Sequence, residues 1–164
     1  NKDNELISGS SDYTIKIFNI ENGQVKRRLT GHSNSVRSLI INKDNELISG
    51  SWDNTIKIWN MQTGQVKRTL TGHNGDVLSL VINKEHELVS GSDDKTIKIW
   101  NMETGQLKRT LTGHTGYVFS LVINNNNELI SGSEDLTIKI WNMETGQVKR
   151  TLAGHTNWVL SLAI

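Results

Sequence analysis

The sequence predicts an all-β protein assembled from four copies of one structural unit. Gly-His pairs recur every 41 residues, and this period divides the 164-residue chain into four units with no remainder. Short runs of alternating β-branched and polar residues are separated by turns of Gly, Asn, Asp and Ser, and no proline interrupts them. No long stretch has the helical spacing of apolar residues. The units are 1–41, 42–82, 83–123 and 124–164.

The second unit shows how each copy divides into four strands. The strand-like segments are 46–50 (ELISG), 55–59 (TIKIW), 65–71 (QVKRTLT) and 77–82 (VLSLVI). Gly64 lies in the turn before the third segment, where it can adopt a positive φ without steric cost. A single sheet of four short strands cannot bury both of its faces. We therefore expect about sixteen strands in four stacked sheets.

The composition is that of a folded protein with no general affinity for polyanions. Hydrophobic residues make up 35% of the chain, charged residues make up 21%, and the formal net charge is +1. The absence of cysteine excludes disulfide bonds and thiolate metal ligands. No apolar run approaches the ~18 residues of a spanning helix, and no signal-peptide pattern begins the sequence. We expect a cytoplasmic protein with no membrane contact, cofactor or bound metal.

Three short motifs recur in the units and identify a family. They are the Gly-His pair, Ser-Gly-Ser-x-Asp and Ile-Lys-Ile-Trp-Asn, found for example at 31–32, 49–53 and 56–60. On these motifs, the sequence resembles the WD40 repeat family along its whole length. The resemblance implies a β-propeller, which is a ring of four-stranded antiparallel blades that serves as a binding platform. The Asp of the family name is here Asn60, Asn101 and Asn142.

The resemblance also implies a hydrogen-bond network of one His, one Ser, one Asp and one Trp in each blade. These residue types suit a buried network because the imidazole, hydroxyl, carboxylate and indole groups can satisfy one another. The intact sets are His32, Ser49, Asp53, Trp59; His73, Ser90, Asp94, Trp100; and His114, Ser131, Asp135, Trp141. Each His precedes its partners across a unit boundary. One blade therefore combines the last strand of one unit with three strands of the next.

This offset leaves the two ends of the chain incomplete. The last strand, 158–164, has no following strands, and the strands within 5–30 have no inner strand. In the family such ends join, so 158–164 would pair with 5–30 of a partner chain or of the same ring. The closing set would be His155, Ser8, Asp12 and Phe18. Phe18 has no N–H group, so this set lacks the donor that Trp supplies in the others.

Four repeats are too few for one ring of the usual geometry. Each blade of a four-bladed ring turns through twice the angle of a blade in an eight-bladed ring, and the family usually has seven or eight. We predict that two chains form one eight-bladed ring, a homodimer with two-fold symmetry. The alternative is that the chain is part of a longer array.

A basic band follows the third strand of every unit. In WD40 blades this strand is the outer edge, where lysine prevents sheets from pairing edge to edge. Carboxylates in every unit offset the band, which disfavours a nucleic-acid partner. The band consists of Lys26, Arg27, Arg28, Lys67, Arg68, Lys108, Arg109, Lys149 and Arg150.

Four positions of the repeat carry chemically unrelated residues and form the predicted partner site. Two flank the network Asp, and two lie shortly after the Gly-His pair. The resemblance places three of them on the top face of a propeller, around the channel mouth, and the position after Asp beside them. The predicted partner-binding residues are Ser11, Tyr13, Ser35, Arg37, Trp52, Asp76, Leu78, Asp93, Tyr117, Phe119, Glu134, Trp158 and Leu160.

The aromatic residues fall into two groups, one at the network position and one at the variable positions. Of the five Trp, two Tyr and two Phe, four occupy the network position that Trp59 represents. The other five, Tyr13, Trp52, Tyr117, Phe119 and Trp158, all fall at the variable positions. Drift at unconstrained surface sites would explain the variability, but it explains less well why large apolar side chains stay in water.

Three functions compete on this evidence. The leading hypothesis is a non-enzymatic module that recognises a protein or peptide partner through its top face, where exposed aromatics beside arginine resemble interface hot spots. The second is a structural unit that closes propeller rings by self-association and has no external ligand. An enzyme is disfavoured, because Ser, His and Asp recur in four near-identical sets whereas a catalytic triad occurs once. Metal binding is disfavoured because the histidines belong to separate blades.

Overall fold

The computed structural model describes residues 4–164, which form fifteen β-strands and contain no helix. The first three residues of unit 1–41 lie outside the described part of the chain. The strands are β1 Glu5–Gly9, β2 Ile15–Asn19, β3 Val25–Leu29, β4 Val36–Ile41, β5 Leu47–Ser51, β6 Ile56–Trp59, β7 Val66–Leu70, β8 Val77–Ile82, β9 Leu88–Ser92, β10 Ile97–Trp100, β11 Leu107–Leu111, β12 Val118–Ile123, β13 Leu129–Ser133, β14 Ile138–Trp141 and β15 Val148–Leu152. The predicted all-β class is confirmed.

The strands form four antiparallel sheets in which consecutive strands are neighbours. The first sheet, β1–β3, has three strands, and the other three sheets, β4–β7, β8–β11 and β12–β15, have four each. Each four-stranded sheet takes its inner strand from one sequence unit and its remaining strands from the next. We call the four sheets blades one to four. They have the architecture of propeller blades, and closure of a ring by a second chain stays a prediction.

Adjacent blades stack through apolar side chains that alternate along the strands. Ile56 and Ile58 are buried on one side of β6, and the next inner strand packs against that side. Gly50 lets the inner strand of the next blade approach, because a Cβ atom at this position would lie 2.7 Å from Val77 Cγ1. One such core cluster fills each of the three junctions between neighbouring blades.

The segment 158–164 differs from the predicted sixteenth strand, because it forms no sheet. It lies beside β12, where the Leu162 N–H donates to Ser120 Oγ at 3.1 Å. Within residues 4–164, β1 pairs only with β2, and His155 is exposed. The set of His155, Ser8, Asp12 and Phe18 is therefore not assembled inside one chain. The physical reason is that four stacked blades leave their two ends apart.

No helix in the described part of the chain is long and apolar enough to cross a membrane.

Candidate functional site on the top face

Two sets of loops meet at one end of every complete blade, and we call this end the top face. One set holds the Gly-His pairs and leads into the inner strands; the other comprises the turns between the second and third strands of each blade. Backbone hydrogen bonds join them: Trp52 N–H donates to Ser35 O at 2.9 Å, and Glu134 N–H donates to Tyr117 O at 2.9 Å. Consequently, all four variable positions of the repeat lie at this end.

The four-residue network lies directly beneath the top face. In blade two, His32 Nδ1 is 2.7 Å from Asp53 Oδ2, and His32 Nε2 is 2.7 Å from Ser49 Oγ. Trp59 Nε1–H donates to the same Ser49 Oγ at 2.8 Å. Ser49 is fully buried and Trp59 is almost so. The network therefore ties the Gly-His loop to the middle two strands of its blade.

The chemistry of the groups fixes the direction of each hydrogen bond. The Asp53 carboxylate can only accept, so His32 Nδ1–H donates to it, and Nε2 accepts the proton of the Ser49 hydroxyl. The Ser49 oxygen still has lone pairs for the Trp59 N–H. Every polar group in the chain of bonds is satisfied only while the imidazole is neutral.

The third and fourth blades repeat this geometry. The corresponding distances are 2.7, 2.7 and 2.8 Å in the third blade and 2.6, 2.7 and 2.7 Å in the fourth. The residues are His73, Ser90, Asp94 and Trp100, and His114, Ser131, Asp135 and Trp141. In each of these blades, the Ser hydroxyl thus joins the imidazole and the indole in one chain of hydrogen bonds.

The network shifts the titration of its acidic and imidazole groups. Burial lowers the pKa of His114 below 6.5, although its bond to Asp135 acts in the opposite direction, and the pKa of His32 is lowered for the same reasons. Burial raises the pKa of Asp135, but hydrogen bonds from Thr137 and His114 outweigh it and lower that pKa to about 2. These shifts favour neutral His beside ionised Asp.

These directions predict that acid destabilises the blades. An unfolded His takes up a proton near pH 6.5, whereas folded His32 and His114 resist it, so the stability they contribute is present above pH 6.5 and lost below it. The contribution of Asp135 is present above pH 3.8 and lost as the pH falls towards about 2. We expect the melting temperature to fall from about pH 8 to about pH 5, and further below about pH 4.

One variant and one control test whether the buried imidazoles cause this pH dependence of the melting temperature. His114→Gln cannot titrate and should reduce the pH dependence, whereas His86→Asn should leave it unchanged. His86 is exposed in a turn with a positive φ, and Asn45 and Asn127 occupy the same place in other units. A melting temperature that stays constant between about pH 8 and about pH 5 would contradict the neutral-imidazole assignment.

The variable residues give each blade a different surface on the top face. In blade two, the Arg37 guanidinium carbon lies 5.4 Å from the centre of the Trp52 ring, within the range of a cation–π contact. Both residues are exposed. This corner of the top face therefore presents a flat aromatic surface with a positive charge on it.

Blade three presents an acidic pair. Asp93 N–H donates to Asp76 O at 3.1 Å, so the two residues lie together on adjoining loops. Partial burial raises the pKa of both side chains, and the charge of Asp93 raises that of Asp76 further. Arg37 offsets this effect on Asp76. Burial is therefore the largest cause of the raised pKa at both Asp76 and Asp93.

An aromatic ladder crosses from blade four to the final segment. The Tyr117 and Phe119 rings meet edge to face with centres 6.1 Å apart, and Trp158 follows at 5.7 Å from Phe119. Tyr117 is 40% exposed and Trp158 is 53% exposed. The ladder is the largest aromatic surface that the top face presents among the described residues.

Two bulky side chains on the top face occupy a backbone conformation that disfavours them. Tyr13 and Leu136 have φ of 69°, in the left-handed region where Asn54 occupies the same position of the repeat. Such a conformation costs roughly 1–2 kcal/mol for an ordinary L-residue. Leu136 occupies the variable position after the network Asp, where Asn54 favours this conformation but a bulky side chain does not. Both side chains are exposed, and the conformation belongs to the turn itself, since Lys95 has a φ of 68° at the same position.

One predicted top-face residue differs from its expected exposure. Ser35 is buried, because its carbonyl accepts the Trp52 N–H and its own N–H bonds to Asn34. Its side chain is therefore not available to a partner. Of the remaining predicted residues, Ser11, Tyr13, Arg37, Trp52, Tyr117, Trp158 and Leu160 are exposed, and Asp76, Leu78, Asp93, Phe119 and Glu134 are partly exposed.

The basic band lies on β3, β7, β11 and β15, the outer edge strands of the blades. Its lysines pair with glutamates that begin β1 or directly precede β5, β9 and β13, as Lys26 does with Glu5 at 2.5 Å. The Arg68 guanidinium donates to Met102 O of the next blade at 2.6 Å. The four lysines of the band are thus paired with carboxylates, which offsets part of its charge. The other ion pairs are Lys67–Glu46, Lys108–Glu87 and Lys149–Glu128.

A groove of about 540 Å³ opens between blades three and four at the end opposite the top face. Lys84 bonds to Asn125 and Asn127, and Asn127 bonds to Glu85, across this groove. Other residues of its lining pair with one another, as Lys108 does with Glu87 and Lys149 with Glu128. No group of three or more His, Cys, Asp or Glu side chains within residues 4–164 is arranged to hold a metal ion.

Comparison with known families agrees with the geometry of the blades. The family model described as WD domain, G-beta repeat matches residues 23–60, 64–101 and 105–142. Each match runs from the turn before an outer edge strand to the Asn that follows the network Trp of the next unit. Comparison with curated proteins returned no significant match. The three matches cover more than half of the chain, in consecutive repeats. The chain therefore belongs to the WD40 repeat family.

Proposed function

We propose that the top face recognises a protein or peptide partner, with Tyr117, Phe119 and Trp158 as its anchors. WD40 repeats generally mediate protein interactions and typically form non-enzymatic scaffolds. The observation that carries the proposal is the aromatic ladder, in which Tyr117 and Trp158 are exposed. It occupies only variable positions, above a network that is the same in blades two to four. Aromatic residues of this kind dominate the binding energy of protein interfaces.

The charges of the same face favour specificity. Arg37 over Trp52 presents a cation at one side, and Asp76 with Asp93 presents carboxylates in the middle. A partner with complementary charges and an apolar anchor would bind in one orientation, because charge arrangement mainly sets register and selectivity. The cysteine-free chain suits the reducing cytoplasm, where we place this interaction.

A selection experiment tests this proposal. A phage-displayed random peptide library is selected against the wild-type chain, and binders are retested on the Tyr117→Ala/Trp158→Ala double variant. We expect the double variant to lose them. The control is Leu107→Ala/Val148→Ala, because these two apolar residues are about as exposed but lie on outer edge strands. Peptides that survive the first double variant and depend on the second would contradict a top-face site.

A second function, self-association, is supported by the two end faces of the stack. Leu47, Leu88 and Leu129 occupy one position of the repeat and are fully buried, but Leu6 at that position is 57% exposed. At the opposite end, Leu152 is 42% exposed, whereas its counterparts Leu29, Leu70 and Leu111 are 1% exposed. At each end of the stack, the apolar surface that is buried between neighbouring blades elsewhere is therefore exposed to solvent.

For the 164-residue chain, we propose that a second copy covers both end faces and forms an eight-bladed ring. Each copy would supply the junction surface that the other lacks, which gives two identical seams related by a two-fold axis. Light scattering should give twice the chain mass of 18.4 kDa. A monodisperse monomer would contradict the dimer, and a series of larger assemblies would contradict a closed ring of two copies.

A further inference from the structure

We propose that the aromatic site on the top face is shared at the seam between two copies of the chain. Tyr117, Phe119 and Trp158 come from one copy, and Tyr13 comes from the second. The inference rests on the two proposals above, because it combines the top-face binding site with the two-chain ring. The site fits an aliphatic or aromatic anchor side chain of a peptide, because its walls are aromatic rings.

The backbone bonds of the complete blades show which residues meet at the seam. In blades two, three and four, the residue before the network Asp donates its N–H to the loop that precedes the inner strand. The donor–acceptor pairs are Trp52–Ser35, Asp93–Asp76 and Glu134–Tyr117. By the repeat, the next pair is Ser11 with Trp158. Tyr13 follows two residues after Ser11, in the same turn, and is exposed.

The strand register of blade four also predicts which residues pair at the seam. In blade four, Leu121 pairs with Ser131 and Ile123 pairs with Leu129. One repeat later, these become Leu162 of one copy with Ser8 of the other, and Ile164 with Leu6. Leu6 and Ile164 are both more than half exposed in the single chain, so this pairing covers the most apolar part of each end.

The first blade is already arranged to receive the missing inner strand. Asp12 Oδ1 accepts the Thr14 N–H at 3.1 Å and the Thr14 hydroxyl at 2.7 Å, as Asp53 Oδ1 does with Thr55 at 3.0 and 2.6 Å. In the complete blades the other carboxylate oxygen accepts a hydrogen bond from the His ring, as Asp53 Oδ2 does from His32 Nδ1–H. In blade one, among residues 4–164, the partner of the equivalent Asp12 oxygen is the Lys16 ammonium, at 3.6 Å. His155 of the second copy supplies the group that the complete blades have there.

Cysteine cross-linking tests the seam directly, because the chain has no cysteine. In blade two, Asn34 Nδ2 donates to Trp52 O at 3.3 Å, so these positions adjoin. The seam counterpart is Asn157 with Ser11. The Ser11→Cys/Asn157→Cys variant should oxidise to a covalent dimer with no free thiol. The matched Asn34→Cys/Trp52→Cys variant should oxidise within one chain and migrate as a monomer.

Every other result of the cross-linking contradicts the shared seam. A seam variant that keeps free thiols while the control oxidises shows that the ends do not meet. A monomer with an internal disulfide shows that one chain closes alone, and a ladder of multimers shows an open array. Circular dichroism on both variants confirms that the blades are folded before oxidation.

A binding measurement tests whether the second copy contributes to the site. Peptides selected on the wild-type chain should bind Tyr13→Ala at least about tenfold more weakly, while light scattering still shows a dimer. Unchanged affinity contradicts the contribution of Tyr13 but leaves the top-face proposal intact. If the covalent dimer forms but the library yields no peptide, the result contradicts the top-face binding site and supports the seam between two copies.

Discussion

Replacing Trp141 by Ala should lower the free energy of unfolding by about 3–5 kcal/mol, as expected for a large aromatic side chain removed from a core. Its side chain is 1% exposed, and its Nε1–H donates to Ser131 Oγ at 2.7 Å. The ring shares a core cluster with Ile99 and Leu111 of blade three. The substitution therefore leaves a cavity at a blade junction and removes a network donor. Urea denaturation followed by circular dichroism measures the loss.

The conservative variant Trp141→Phe separates these two causes. Phe keeps a six-membered ring in the core but removes the N–H donor and part of the indole, so we expect an intermediate loss. It should exceed the ~0.5–1.5 kcal/mol of one hydrogen bond and stay below the loss caused by Trp141→Ala. The first unit already carries Phe18 at this position. If Trp141→Phe cost as much as Trp141→Ala, the hydrogen bond rather than the junction packing would dominate.

Tyr117→Ala and Trp158→Ala should each weaken the binding of a selected peptide by about 2 kcal/mol or more, the value typical of an interface hot spot. Both rings are well exposed, and both contact Phe119 in the ladder. Truncation removes surface that a partner would cover. Isothermal titration calorimetry with one selected peptide measures the loss, and Leu107→Ala, on an outer edge strand, is the control.

The same two variants should remain folded. Each loses one aromatic pair, which is worth about 0.5–1.5 kcal/mol, and opens no cavity in a blade junction. Their unfolding free energies should therefore stay well above that of Trp141→Ala. A Tyr117→Ala chain as unstable as Trp141→Ala would show that the ladder belongs to the framework, and the recognition argument would fail.

The sequence was sufficient to predict the blades because their determinants are local and repeated. Alternating isoleucines define strands such as Ile56–Trp59, and the 41-residue period showed that the units stack. The network followed from the family resemblance, which assigns His32 to Ser49 and Asp53 across a unit boundary. The structure has hydrogen bonds between these groups.

The remaining features depend on how loops and chain ends lie in space. The burial of Ser35 results from backbone bonds between two loops that are far apart in the sequence. The left-handed conformation at Tyr13 and Leu136 would be expected from Asn54 at the same position, but not from the bulky residues themselves. Segment 158–164 has strand-like residues and yet forms no strand, because a sheet requires a partner and four stacked blades provide none.

Hydrogen–deuterium exchange with and without a selected peptide tests the central claim that this WD40 chain binds through its top face. Bound peptide should slow exchange in the Gly-His loops 71–76, 112–117 and 153–158. The turns 83–87 and 124–128, at the opposite end of the blades, should exchange at the same rate in both samples. Protection confined to those turns, or to the outer edge strands, would contradict the account.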